Sequence, residues 1–347
     1  MRYIKLAIIV FSLILVSFTL YYFMMQPTYS IKMEGDLYVV NKASKSVTVF
    51  DLLEGEYITE INLELEPHEA ASLTNPNRII VTNYGSSDVE GKSITVINSD
   101  NNNIVNTIEL GDSARPHGII QFPDSKKVGV VTDIGNDLSV INIDSGELEK
   151  QISTQQDFSH LLVHHPYKPL VYVSNINSGS MSVIDINLNK VIKIVSIGER
   201  AEGIDISKDG SEIWVTNIAE NFILVINTET NEIVDRVETG KEPLRLSFTN
   251  DGKFCLVSNS GDGNVSVFNV KTRELVTIIS IPGKKNIVEK LIYKTPRPVG
   301  ILMHPNGLYA FVSNLTADRV EVIDMKKFAI VSSIEVGEMP DGLAMIN

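Results

Sequence analysis

Only one cysteine, Cys255, occurs in the 347 residues. No internal disulfide can form, so the folded chain must be held by packing and hydrogen bonds. Cys255 lies in the apolar run FCLVSN and reads as a small buried hydrophobe. Basic residues are also in the minority. Thirty Lys and Arg against 43 Asp and Glu give a net charge of -13, which repels a phosphate backbone and excludes nucleic acid as a partner. The chain has no Gly-x-Ser-x-Gly, no P-loop and no Cys-x-x-Cys-His, so a nucleophile elbow, nucleotide hydrolysis by a Walker motif and covalent haem are set aside.

Long uncharged runs are equally scarce, with one near the start. Arg2 and Lys5 precede Leu6 to Met25, twenty residues without a charge. As a helix this run would cross a bilayer core of about 30 Å. Its basic end should stay in the cytoplasm, placing the remainder on the extracytoplasmic side of the cell membrane. The stretch SFTLYYFMMQPTYS shows no Ala-x-Ala pattern and no lipid-accepting cysteine. It therefore predicts an uncleaved single-pass anchor, with secretion after cleavage as the alternative. Residues 1–30 read as anchor and linker, and residues 31–347 as one domain.

Internal repetition dominates that domain. VYVSNINSGSMSVIDINLNKVIKIVSIG (171–198) recurs as IWVTNIAENFILVINTETNEIVDRVETG (213–240) and CLVSNSGDGNVSVFNVKTRELVTIISIPG (255–283). Each copy holds three alternating apolar strands between polar turns. The polar residue ending the first of them falls at Asn41, Asn83, Asp133, Asn175, Asn217, Asn259 and Asn314. The gaps are 42, 50, 42, 42, 42 and 55, a 42-residue period with two insertions. Later units carry a further strand ahead of the three, as in PHGIIQFPD and AEGIDISKDG, and four antiparallel strands per unit predict a propeller blade. The first unit lacks that strand, and MPDGLAMIN (339–347) supplies it from the chain end. The fold class is thus all-β, a seven-bladed β-propeller closed by pairing of its N- and C-terminal segments and preceded by one transmembrane helix.

The VTN and VSN strand ends followed by SVID-like strands resemble the YVTN-repeat family of seven-bladed propellers, over roughly residues 36–347. That resemblance implies the fold; proteins built this way serve as surface proteins, binding modules and several unrelated enzymes. The chain departs from the pattern at VTD (131–133) and at the insertions YGSSDVEGKS (84–93) and KKNIVEKLIYKT (284–295). The first insertion reads as a longer hairpin loop, the second as one short amphipathic helix.

Aligned on their turns, the units place His68, His117, His160, Glu202, Leu244, Val299 and Asp341 at one position, the start of the innermost strand at the channel mouth. Three histidines in consecutive blades could meet there, and with Glu202 they make a candidate site for zinc, copper or iron. Against this stands the capacity of histidine to cap backbone or pack between blades. Arg115, Arg200, Arg245 and Arg297 lie beside this ring and, with Asp341, are candidates for binding a small anionic ligand; pairing with Glu66, Glu199 or Glu242 is the structural alternative. His165, His304 and Trp214 read as structural, and the Asn series as bonding to adjacent turn backbone.

The sequence therefore predicts a membrane-anchored extracytoplasmic propeller that binds a small ligand or a protein through its channel face. The alternative is a metal-dependent propeller enzyme, a lyase, hydrolase or oxidase, with Glu202 or Asp341 as ligand or general base. A purely structural surface protein is the third option.

Overall fold

The protein is described from a computed structural model, which defines residues 29–74, 77–123, 126–284 and 292–347, with Ser12 and Ser17. The expected anchor, Leu6 to Met25, lies outside the described residues apart from those two serines, as does most of the expected helix in 284–295. No helix among the described residues is long and apolar enough to cross a membrane.

Among the described residues, twenty-eight strands form seven four-stranded antiparallel sheets. Six sheets are continuous in sequence. The seventh joins β28 (Pro340–Ile346) to β1 (Asp36–Asn41) through the pairs Asp36↔Ile346, Tyr38↔Ala344 and Val39↔Leu343. The ring is closed between its ends, as the sequence predicts. The innermost strands are β28, β4 (Pro67–Thr74), β8 (Pro116–Gln121), β12 (Ser159–His164), β16 (Ala201–Ile206), β20 (Pro243–Phe248) and β24 (Pro298–Met303).

The core is a series of apolar seams between neighbouring sheets. Tyr172, Met181 and Val183 of the fourth blade face Ile213, Val215 and Leu224 of the fifth, and Trp214 and Cys255 lie fully buried in the next seam. The two middle strands of each blade are buried on both faces because both faces meet a neighbour, whereas the outermost strands are exposed over most of their length. Burial pushes the Cys255 thiol well above its ordinary pKa, in keeping with an inert packing role.

The first insertion is a hairpin extension: β5 (Asn77–Gly85) and β6 (Glu90–Asn98) run past the ladder of the other blades to the pair Gly85↔Glu90. It rises at the end of a second strand, on the face where the innermost strands begin. His165 and His304 cap turns, their Nδ1 atoms accepting from the backbone of Tyr167 at 3.0 Å and Asn306 at 3.1 Å. The Asn series meets the expectation in part. Asn217 accepts from the turn backbone of Ala219 and Glu220 and Asn314 donates to backbone at Val312 and Arg319, Asn175 divides its bonds between backbone and the Ser180 and Ser182 hydroxyls, and Asn41 and Asn259 donate to side chains early in the next strand, such as Ser46 and Ser266.

Close approach of innermost strands explains a glycine. A Cβ on Gly300 would stand 2.4 Å from the carbonyl oxygen of Asp341 and 2.8 Å from Ser313 Oγ. Gly300→Ala is therefore expected to destabilise the ring by about 1–3 kcal/mol as overpacking, read as a lower urea midpoint.

Candidate active site at the channel mouth

Every innermost strand carries a register shift near its start, for example between Pro67 and Ala70, Pro116 and Ile119, and Ser159 and Leu161. Such bulges bend a strand and re-aim a side chain. Here they set the second residue of each strand at the channel mouth. The ring predicted from the repeat is the ring observed: His68, His117, His160, Glu202, Leu244, Val299 and Asp341 are second in their strands.

The three histidines meet. His117 lies between the others, its ring centroid 3.7 Å from that of His68 and 3.5 Å from that of His160. His117 Nε2 is 3.0 Å from His68 Nε2. The two flanking imidazoles sit in opposite surroundings. His160 is held between carboxylates, with Nδ1 3.1 Å from Asp133 Oδ1 and Nε2 3.0 Å from Glu202 Oε1. His68 has one carboxylate, Asp341 Oδ2, 3.3 Å from Nδ1, and at Nε2 it meets the Lys42 ammonium at 2.7 Å.

Titration follows from these partners. Burial lowers the pKa of each ring by penalising the cation. For His160 the Glu202 and Asp133 carboxylates outweigh burial and push the pKa up to about 9. For His68, burial, Lys42, His160 and Arg245 act together and hold the pKa well below the ordinary value; burial, His160 and His68 do the same to His117. Glu202 is pushed down to about 2, because His160 and Arg245 overcome its own burial. At neutral pH the mouth thus holds one imidazolium beside two neutral imidazoles.

Arg245 crosses the channel. Its Nη1 donates to Glu202 at 2.7 Å and its Nη2 to Glu69, on the opposite side, at 3.0 Å. It is the one arginine of the four that enters the cluster. Arg115, Arg200 and Arg297 instead occupy left-handed turn positions, at φ 59°, 60° and 49°, where their carbonyls accept from the backbone of Asp133, Ile218 and Leu315. The side chain of Arg115 lies over Tyr84 and donates to Ser86 O, that of Arg297 approaches Glu242 at 3.6 Å, and Arg200 is exposed.

Four members of the cluster were not singled out by sequence: Lys42, Glu69, Tyr84 and Asp133. Asp133 carried a signal, being the one departure from the Asn series; its second oxygen accepts from Tyr84 Oη at 2.8 Å. Tyr84 opens the first insertion. Glu69 stands where four other blades have Gly118, Gly203, Gly300 and Gly342, and Lys42 carried no signal.

Among the described residues, two trios bring one donor atom each within 4.8 Å and could hold a metal: His68, Glu69 and His117, and His117, Asp133 and His160. The three expected histidines are divided between these trios, and Glu202, which accepts from His160 and Arg245, belongs to neither.

The His160 clamp gives a prediction on stability. A pKa raised to about 9 contributes stability that is complete below the unfolded value near 6.5 and is lost as pH rises through about 9. Asp133→Asn should lower that pKa. The stability gap between parent and variant, from urea unfolding, should be widest near pH 6 and narrow above pH 9.

Ring, bulges and mouth define a class, the seven-bladed propeller with an ionisable cluster at one end of its channel. The family described as Lactonase, 7-bladed beta-propeller, matches residues 15–288, well over half of the chain, and the chain belongs to it. No curated protein matches it in sequence. Among solved structures, a chain of Kuenenia stuttgartiensis hydrazine synthase is similar at 17% identity and TM-score 0.71, covering 85% of this chain and 94% of that one. A functionally unknown protein from Desulfotomaculum acetoxidans DSM 771 is similar at 16% identity and TM-score 0.73, covering 90% of this chain and 99% of that one. At these identities the likeness concerns the fold.

Proposed function

We propose that the protein is a membrane-tethered propeller whose channel mouth binds a small anionic molecule and hydrolyses a lactone ring in it. The observation that carries this reading is the pair of imidazoles beside carboxylates in opposite surroundings, neutral His68 3.3 Å from Asp341 and cationic His160 bonded to Asp133. Two like groups driven to opposite protonation states by their neighbours are suited to general base and general acid. The family's name supplies the reaction class, and the run Leu6 to Met25 supports the tether.

In this scheme Asp341 orients His68 and His68 Nε2 takes a proton from water as the water oxygen bonds to the acyl carbon. The ring C–O bond breaks, and His160 protonates the departing alkoxide, whose oxygen takes the place of the Glu202 contact at Nε2. His68 then gives its proton to solvent and His160 takes one up from solvent, which restores both rings. The product is a hydroxy acid, which ionises and releases one proton at neutral pH. Lys42, about a quarter exposed at 23%, would turn from His68 to the anionic group of the substrate.

The test is pH-stat titration with γ- and δ-lactones carrying a phosphate or carboxylate. One proton per ring opened is expected, with His68→Ala and His160→Ala each lowering kcat by roughly 10²–10⁴-fold. A parent that opens no lactone in the set, or a His68→Ala variant of unchanged kcat, would overturn the reading.

A further inference from the structure

The Lys42 ammonium stands against His68, one of three side chains that could hold a metal ion. It stands 2.7 Å from His68 Nε2 and 3.6 Å from Asp341 Oδ2, beside the 3.0 Å contact of His68 Nε2 with His117 Nε2. Two imidazole nitrogens bound to one tetrahedral zinc at about 2.0–2.1 Å would be about 3.3 Å apart, so the pair needs to open by only a few tenths of an ångström. A carboxylate oxygen of Glu69 completes a trio within 4.8 Å. Asp341 Oδ2, 3.3 Å from His68 Nδ1, is placed as the outer carboxylate that commonly orients a ligating histidine. His117 Nδ1 and Asp341 Oδ1 are buried without a hydrogen-bond partner, and both residues are at least nine-tenths buried.

Charge points the same way. The cluster gathers four carboxylates, Glu69, Asp133, Glu202 and Asp341, around two basic side chains, Lys42 and Arg245. A divalent ion in place of Lys42 adds one positive charge among these buried carboxylates, which favours its entry. Lys42 has the reach and partial exposure to leave. The other trio is a poorer host, since His160 would have to give up a carboxylate at one nitrogen.

We infer that the channel mouth binds one divalent transition-metal ion of the zinc type through His68, His117 and Glu69, in exchange for the Lys42 ammonium. The ion takes the base nitrogen of the site proposed above, so bound zinc would inhibit hydrolysis there. The metal site itself stands independently of whether a lactone is the substrate.

The experiment is calorimetric titration of the folded protein with zinc chloride. One zinc per chain is expected, bound at least tenfold more tightly by Lys42→Met than by the parent. In the Lys42→Met background, His117→Ala should abolish binding and Asp133→Asn should leave it within about threefold. Circular dichroism confirms that each variant is folded, and Glu69→Gln, which keeps the side-chain shape, should weaken binding at least tenfold. Equal or weaker binding by Lys42→Met, or binding that survives His117→Ala, would overturn the inference. Loss of binding on Asp133→Asn would overturn it too, by moving the ion to the other trio. Absence of lactone hydrolysis with zinc binding intact would sink only the proposed reaction.

Discussion

A chain ending at Met339 is expected to lose the folded ring altogether. The eight residues removed contain β28, the innermost strand of the blade that joins the ends of the chain. Leu343 and Met345 fill the seam toward the last blade, and Ala344 the seam toward the second. Withdrawing Leu and Met side chains from burial costs about 1.5–3 kcal/mol each. The loss also leaves β1 with an open edge and deprives the channel of a wall. Two broken seams and five lost residue pairings are together comparable with the roughly 5–15 kcal/mol that stabilises a typical protein. Circular dichroism and gel filtration should show an expanded or aggregated chain. A truncated protein that melts cooperatively at the parent's temperature would contradict ring closure as described.

Arg245→Met is expected to give the largest loss from a single substitution. Arg245 joins Glu202 and Glu69 across the channel, and all three side chains are largely buried. Removing the guanidinium leaves two carboxylates facing each other with one of their donors gone. Breaking a buried pair in this way costs about 3–5 kcal/mol, much more than an exposed ion pair is worth. Unfolding in urea should show a loss of that order, and adding Glu69→Gln should restore part of it, since neighbouring sites are not additive. A variant as stable as the parent would mean that Arg245 is not the tie across the channel.

The ring was legible because its signals repeat. Asn41, Asn83 and their counterparts recur at one spacing, strand alternation is renewed seven times, and the missing first strand is supplied by residues 339–347. The second-residue ring was legible for the same reason, since any position of a repeat can be aligned. Charge pairing across the channel was not. Arg245 meets Glu69 from 176 residues away, a contact that depends on ring diameter and on bulge geometry rather than on local pattern. The arginines show the converse: Arg115, Arg200 and Arg297 align with the ring, yet their positive φ turns fix the backbone, and their side chains go elsewhere. Asp133 marks what a closer reading would catch. The one carboxylate in a series of amides holds His160.

The measurement closest to the central claim is nitrogen NMR of the histidine side chains at pH 7.5. The account predicts His160 protonated on both ring nitrogens and His68 neutral, with its proton on Nδ1 toward Asp341. If His68 and His160 are in the same protonation state, the mouth holds no separate base and acid, and the proposed hydrolysis loses its foundation.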